Sequence, residues 1–214
     1  MKRLVLSLGL LSLVFSSCAR ETADITQLPV QDETQLTVQD ENKLTAQEQL
    51  SQIKSVSTLK YSVPKYDAKV SASFEKQISA MGVKLSPEQF KLIALQRHLK
   101  PGGGFASRPA VNLTADQNLT VHFNKHKSQF SGINSKEDYL KSAISYLNNS
   151  SPTAQYYFDI TSFSKGYQSN VVKWDSKTNE LSAVRSNADV TTYYKDSKMN
   201  PSRFVIVPPE FDYK

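Results

Sequence analysis

Cysteine is almost missing from this chain. Cys18 is the only one among 214 residues, so no intrachain disulfide can form and packing must hold the fold. Tryptophan is as scarce, with Trp174 alone, and histidine occurs three times, at His98, His122 and His126. These leave no convincing cluster of metal ligands, and neither a metal nor a cofactor is expected. Three of the seven glycines stand together in Pro101-Gly-Gly-Gly104. No Lys-Ser or Lys-Thr follows them, which excludes a phosphate loop, and the run reads as a hinge. With 39% hydrophobic residues and a mean hydropathy of −0.44, the chain can hold one modest domain and accessory segments.

One apolar run stands out. Leu4 to Phe15 is broken only by Ser7, Gly9 and Ser12, and it follows the positive Met1-Lys-Arg3. It is too short for a permanent membrane span, and its flanks are those of a secretory signal. Ser16-Ser17-Cys18 closes it. A cysteine directly after small residues resembles the bacterial lipobox, where the thiol receives a diacylglycerol and becomes the mature N-terminus. The resemblance implies a signal over residues 1–17, lipidation at Cys18 and a membrane anchor. Ala19, in place of Asp, points that anchor to the outer membrane. A cleaved signal with an incidental cysteine is the alternative.

Residues 18–45 read as a flexible tether. Thr26 to Glu33, Thr34 to Glu41 and Asn42 to Gln49 are three copies of an eight-residue repeat, which matches no solenoid period. The copies are polar, acidic and poor in aromatics, so they cannot bury enough apolar area to offset chain entropy. Charge divides along the chain. Residues 19–49 hold two basic and seven acidic side chains, residues 50–104 nine and three, and residues 105–214 thirteen and ten. The net +6 is compatible with an anionic partner without requiring one.

The remainder reads as α+β. A helical region is expected over residues 46–104, with one helix from Thr45 to Leu59 and a second opened by Ser86-Pro-Glu-Gln89 and running to Leu99. His98, at the basic end of that second helix, reads as a cap. Residues 105–214 are expected to pack helices on a small antiparallel β-meander. Ser135 caps a helix through Leu147, and strands are expected at Gln155–Phe163, Asn170–Trp174, Leu181–Arg185 and Val190–Lys195. Val205 and Val207 can add a short last strand.

His122-Phe-Asn-Lys-His126 carries the chemistry. Four-residue spacing on a helix sets both imidazoles on one face, and Phe123 and Phe130 can dock the segment. Imidazole titrates near neutrality, so a pair of them can move protons without metal. A solvated amphipathic helix is the plain alternative. The ordered set His122–His126, Ser135–Tyr146, Val171–Glu180 and Thr191–Lys195 resembles the RNase toxin domains of the barnase–EndoU–colicin–RelE-like superfamily, found in bacterial polymorphic toxins. Ser186-Asn-Ala-Asp189 stands where those domains carry an Asp-Gly turn, which leaves the register of the last strand open.

The resemblance implies a metal-independent endoribonuclease that cleaves RNA, tRNA among the candidates, through attack by the 2′-hydroxyl. His122 and His126 would be base and acid in an order left open. Lys125 or Arg185 would hold the phosphate, with Thr192 and Tyr194 lining the site. Trp174 could stack on a base or belong to the sheet. The implied protein is an exported, lipid-anchored effector acting in a recipient cytoplasm, with a cognate immunity protein as a further partner. Two alternatives stay open: an inactive envelope lipoprotein serving as a binding or structural module, and a metal-dependent hydrolase using His122, His126 and Asp138.

Overall fold

A computed structural model describes residues 44–56, 67–200 and 202–211. Everything described lies in one compact unit. The signal over 1–17, Cys18 and nearly all of the tether lie outside the described residues. No helix among the described residues is long and apolar enough to cross a membrane.

The architecture is α+β. Among the described residues, helices α1 (Ala46–Val56), α2 (Ala68–Ala80), α3 (Pro87–His98), α4 (Ala115–His126) and α5 (Lys136–Asn148) precede strand β1 (Ala154–Asp159). A short α6 (Ile160–Ser164) and strands β2 (Val171–Asp175), β3 (Glu180–Val184), β4 (Val190–Lys195) and β5 (Phe204–Ile206) follow. The strands form one antiparallel sheet in the order β4-β3-β2-β1-β5, a meander whose last strand returns to β1.

Helix ends follow their caps. Ser86 and Gln89 form a reciprocal capping box at α3, with Pro87 in its first turn, and Ser135 Oγ accepts from the Asp138 amide at α5. Helix α2 is an addition to the sequence reading. Its signal was Asp67, whose side chain accepts from the Lys69 and Val70 amides, followed by Phe74 and Ile78 four residues apart. The strand expected over 155–163 stops at Asp159. That carboxylate accepts from the Ser162 amide and hydroxyl and from Arg203 Nε and Nη2, so the chain turns into α6.

The helices of 46–104 do not stand apart from the sheet. Leu50 and Ile53 of α1 and Leu92 of α3 share a buried cluster with Leu119, Tyr139, Val190 and Tyr193. A second cluster joins Phe74, Ile78, Phe90 and Ile93 to Phe158, Val171, Val205 and Phe211. The glycine run is likewise no hinge. Gly102 N–H donates to Ala188 O at 2.8 Å, Gly104 O accepts from Val190 N at 2.9 Å, and Ala106 N–H donates to Val190 O at 2.8 Å. Residues 104–106 therefore extend the sheet beyond β4, with Phe105 paired in parallel to Val190. Gly103, at φ +108°, has the backbone freedom that this entry into the sheet needs.

The β3–β4 turn settles the register left open by the sequence. Ala188 takes φ +68°, the conformation a glycine would usually supply, and is buried against the glycine run. A shift between Ala183 and Val184 then pairs Ala183 with Thr192 and Leu181 with Tyr194.

Two polar groups on β2 are buried. Lys173 Nζ donates to Tyr146 O at 2.6 Å and to Asn149 O, capping the C-terminal carbonyls of α5, and burial pushes its ammonium below the ordinary lysine value. Burial alone would push the Asp175 carboxyl up. Hydrogen bonds from Ser151 Oγ (2.6 Å), Thr153 Oγ1 (2.8 Å) and the Lys177 and Thr178 amides outweigh it and hold Asp175 below the usual aspartate value. An unfolded aspartate protonates near pH ~4, the folded one only at lower pH. The stability from Asp175 is thus complete above about pH 4 and is lost as pH falls through the lower folded value. Asp175→Asn should lower the melting temperature at neutral pH and flatten its decline in acid, as read by thermal unfolding across pH 2–7.

Candidate functional site

The sequence places both histidines in the last turns of α4, and three contacts fix where that helix lies. Thr114 and Gln117 form its capping box. Asn118, 1% exposed, donates from Nδ2 to Ala106 O at 2.7 Å, which ties the first turn to the segment paired with β4. Leu119 and Phe123 then pack on the main cluster, Phe123 edge-on to Tyr139. Past the helix, a 3-10 turn at Lys127–Gln129 sends Gln129 Oε1 to accept from the Lys195 amide at 2.9 Å. Phe130 stacks on Tyr193 with ring centroids 4.6 Å apart. Helix α4 is thus laid along the β4 side of the sheet.

His122, His126 and Tyr194 form a continuous row. The imidazole centroids lie 6.0 Å apart with 37° between the ring planes, as expected for neighbours one turn apart on a helix face. His126 is 8% exposed and stacks on the Tyr194 ring at 5.2 Å, 23° from parallel. His122 is half-buried and packs against the Phe105 ring at 5.1 Å. Alternation along β4 turns Tyr193 into the helix-covered core and Tyr194 to the opposite face, where it reaches His126.

The other candidate residues are placed as follows. Thr192 is half-buried and lies two residues from Tyr194 on the same face, opposite Ala183. Arg185, just beyond β3, is buried and donates from Nη2 to Ser107 O at 2.8 Å. Ser107 is two residues from Phe105, so one segment touches both Arg185 and His122. Lys125 is exposed on the flank of α4, off the face shared by the two histidines. The geometry joins His122, His126 and Tyr194 by direct contact, sets Thr192 beside them and ties Arg185 to the same segment.

Trp174 lies on the Tyr194 face of the sheet. Its Nε1 donates to Asp196 O at 2.9 Å and its ring meets Tyr157 edge-on at 6.2 Å. Among the described residues, no group of three or more His, Cys, Asp or Glu side chains is placed to hold a metal ion. Asp138, the carboxylate considered beside the histidines, lies in the first turn of α5.

Sequence reading missed the residues that hold the row in place: Phe105, Ala106, Asn118 and Gln129. Asn118 had no local signal, because its partner is a backbone carbonyl twelve residues away. Asn118→Leu should cost about 1–3 kcal/mol by leaving a buried carbonyl without its donor. It should also loosen His122, seen as increased exchange broadening of its ring signals by NMR.

The arrangement offers two proton-transfer groups one helical turn apart, an aromatic wall that orients one of them, and a buried guanidinium nearby. Comparison with known proteins finds no matching family model, no similar curated protein and no matching solved structure.

Proposed function

We propose that this chain is a metal-independent endoribonuclease, delivered as an exported, lipid-anchored effector. The observation that carries the reading is the row formed by His122, His126 and Tyr194. One imidazole takes the proton from a ribose 2′-hydroxyl, and that oxygen attacks the adjacent phosphorus. The bond from phosphorus to the 5′-oxygen breaks, and the other imidazole, in its protonated form, gives its proton to the leaving oxygen. The products are a 2′,3′-cyclic phosphate and a 5′-hydroxyl. Proton transfer by positioned groups contributes about 10²–10⁴-fold.

Tyr194 fixes the His126 ring by stacking. Arg185 supplies charge to the phosphate, with Lys125 as a second cation at the rim and Thr192 lining the same face. Cys18 would carry the lipid in the producing cell, at the outer membrane, and the RNA would be met in a recipient cytoplasm. A producer of such a protein requires an immunity partner.

Expression of residues 19–214 in a bacterial cytoplasm tests this reading. Residues 105–214 alone would lack Leu50, Ile53 and Leu92, which complete the core. Growth arrest with fragmented RNA, relieved by His122→Ala, is expected; healthy growth with intact RNA and soluble protein would count against it. One observation favours a second reading, that of a binding module: His126 is 8% exposed and has rings on two sides, as a packing residue would. Intact RNA beside a folded chain would select that module.

A further inference from the structure

Two ammonium groups flank the histidine row, held by aromatic rings instead of carboxylates. Lys127 directly follows His126 in the chain, and Lys195 directly follows Tyr194. Both residues are exposed, yet each ammonium rests on an aromatic face. Lys127 Nζ lies 5.2 Å from the Phe123 ring centre, and Lys195 Nζ lies 5.4 Å from that of Phe130. Both rings meet buried Tyr139 at steep angles, 6.2 and 6.1 Å away, so one core residue supports the pair. Gln129 Oε1, accepting from the Lys195 amide at 2.9 Å, fastens the turn that begins at Lys127 to the end of β4.

A ring and a carboxylate restrain a lysine to different effect. A carboxylate offsets the charge it anchors, as Asp116 does for Lys136. An aromatic face restrains the ammonium and leaves its charge in place, so its field still reaches an anion. Among the described residues, neither Lys127 nor Lys195 forms an ion pair. Glu180, opposite Lys195 on β3, accepts from the Tyr193 hydroxyl instead. Lys127 comes four residues after Phe123, on the face of α4 next to that of His122 and His126. Two restrained cations on an open flank suit a chain of repeating charges; a single small anion would call for an enclosed site. We propose that Lys127 and Lys195 hold RNA phosphates neighbouring the one cleaved, and so set how the strand lies across the histidines. They bind and position the strand and take no part in the proton transfers. The identity of this ligand rests on the ribonuclease reading.

Binding of a 2′-O-methyl RNA oligomer tests the proposal apart from cleavage, because that strand has no free 2′-hydroxyl to attack with. Fluorescence anisotropy with the full chain, repeated across salt concentrations, gives the slope of log affinity against log salt. Each lysine that holds a phosphate of a single strand contributes about 0.7 to that slope. Lys127→Gln and Lys195→Gln should each flatten it by about that amount, and the double variant by twice as much. Lys127→Arg and Lys195→Arg should keep it. Lys76→Gln removes the same charge from α2, which packs at the β5 end of the sheet, and should leave the slope unchanged. On cleavable RNA the double variant should raise KM with little change in kcat, since these contacts are alike before and during the reaction. A double variant with the slope of Lys76→Gln, or no binding by the parent chain, would overturn the proposal even if the parent cuts RNA. A flattened slope in a chain that cuts no RNA would keep the pair as an RNA-binding surface and refute the ribonuclease reading instead. Loss of binding to phosphatidylglycerol vesicles, with oligomer binding unaltered, would assign the pair to a membrane surface and overturn the proposal too.

Discussion

His126→Phe should lower RNA cleavage by about 10²–10⁴-fold while leaving the chain folded. Phenylalanine can keep the stack on Tyr194, now 5.2 Å between centroids, but it can neither give nor accept a proton. The substitution therefore separates chemistry from packing, which alanine would not. His122→Ala should produce a loss of the same order. If the two imidazoles act on one phosphate as base and acid, their effects are strongly non-additive, and the double variant should be little worse than either single one. Initial rates on a defined RNA, with circular dichroism to confirm folding, check all three variants. A His126→Phe variant as active as the parent would remove His126 from the mechanism. A bell-shaped dependence of rate on pH belongs to the same account, because one ring must be neutral and the other protonated.

Tyr139→Ala should produce the largest loss of stability, about 3–5 kcal/mol. Tyr139 is fully buried on α5, and its ring meets Phe123, Phe130 and Tyr193. Its hydroxyl donates to the Tyr193 carbonyl, joining α5 to β4. Burial raises its phenol well above the ordinary tyrosine value, so the hydroxyl remains a donor over the working pH range. The same ring supports Phe123 from α4 and Phe130 beyond it, so its loss should also release the histidine helix. At about 2–4 °C per kcal/mol, the melting temperature should fall by on the order of 10 °C. Tyr139→Phe removes only the hydrogen bond and should cost about 1–2 kcal/mol. Denaturant unfolding of both variants checks the split; equal losses would mean that the hydroxyl, not the ring, dominates.

The elements were largely legible because their signals are local. Ser86 and Ser135 announce their helices by side chains that bond backbone amides three residues on, and both do so. The meander was visible as short β-rich runs separated by polar turns. The Gly run misled because glycine permits two opposite uses, free rotation and close approach. Here Gly104 lies so near Asp189 that an added Cβ would fall 2.5 Å from its Oδ1. Asp159 misled for a related reason: its strand context is plain, whereas the Arg203 partner that fixes its capping role lies 44 residues on. Helical spacing placed His122 and His126 together. It carried no information on Phe105 or Asn118, whose contribution depends on a segment pairing with β4 from outside the sheet.

The decisive experiment is RNA cleavage by the purified chain in the presence of EDTA, with the new ends identified chemically. Fragments ending in 2′,3′-cyclic phosphate and 5′-hydroxyl are expected, formed at the same rate with or without chelator and suppressed in His126→Phe. Intact RNA in the presence of folded protein, or cleavage that stops when divalent cations are removed, would contradict it.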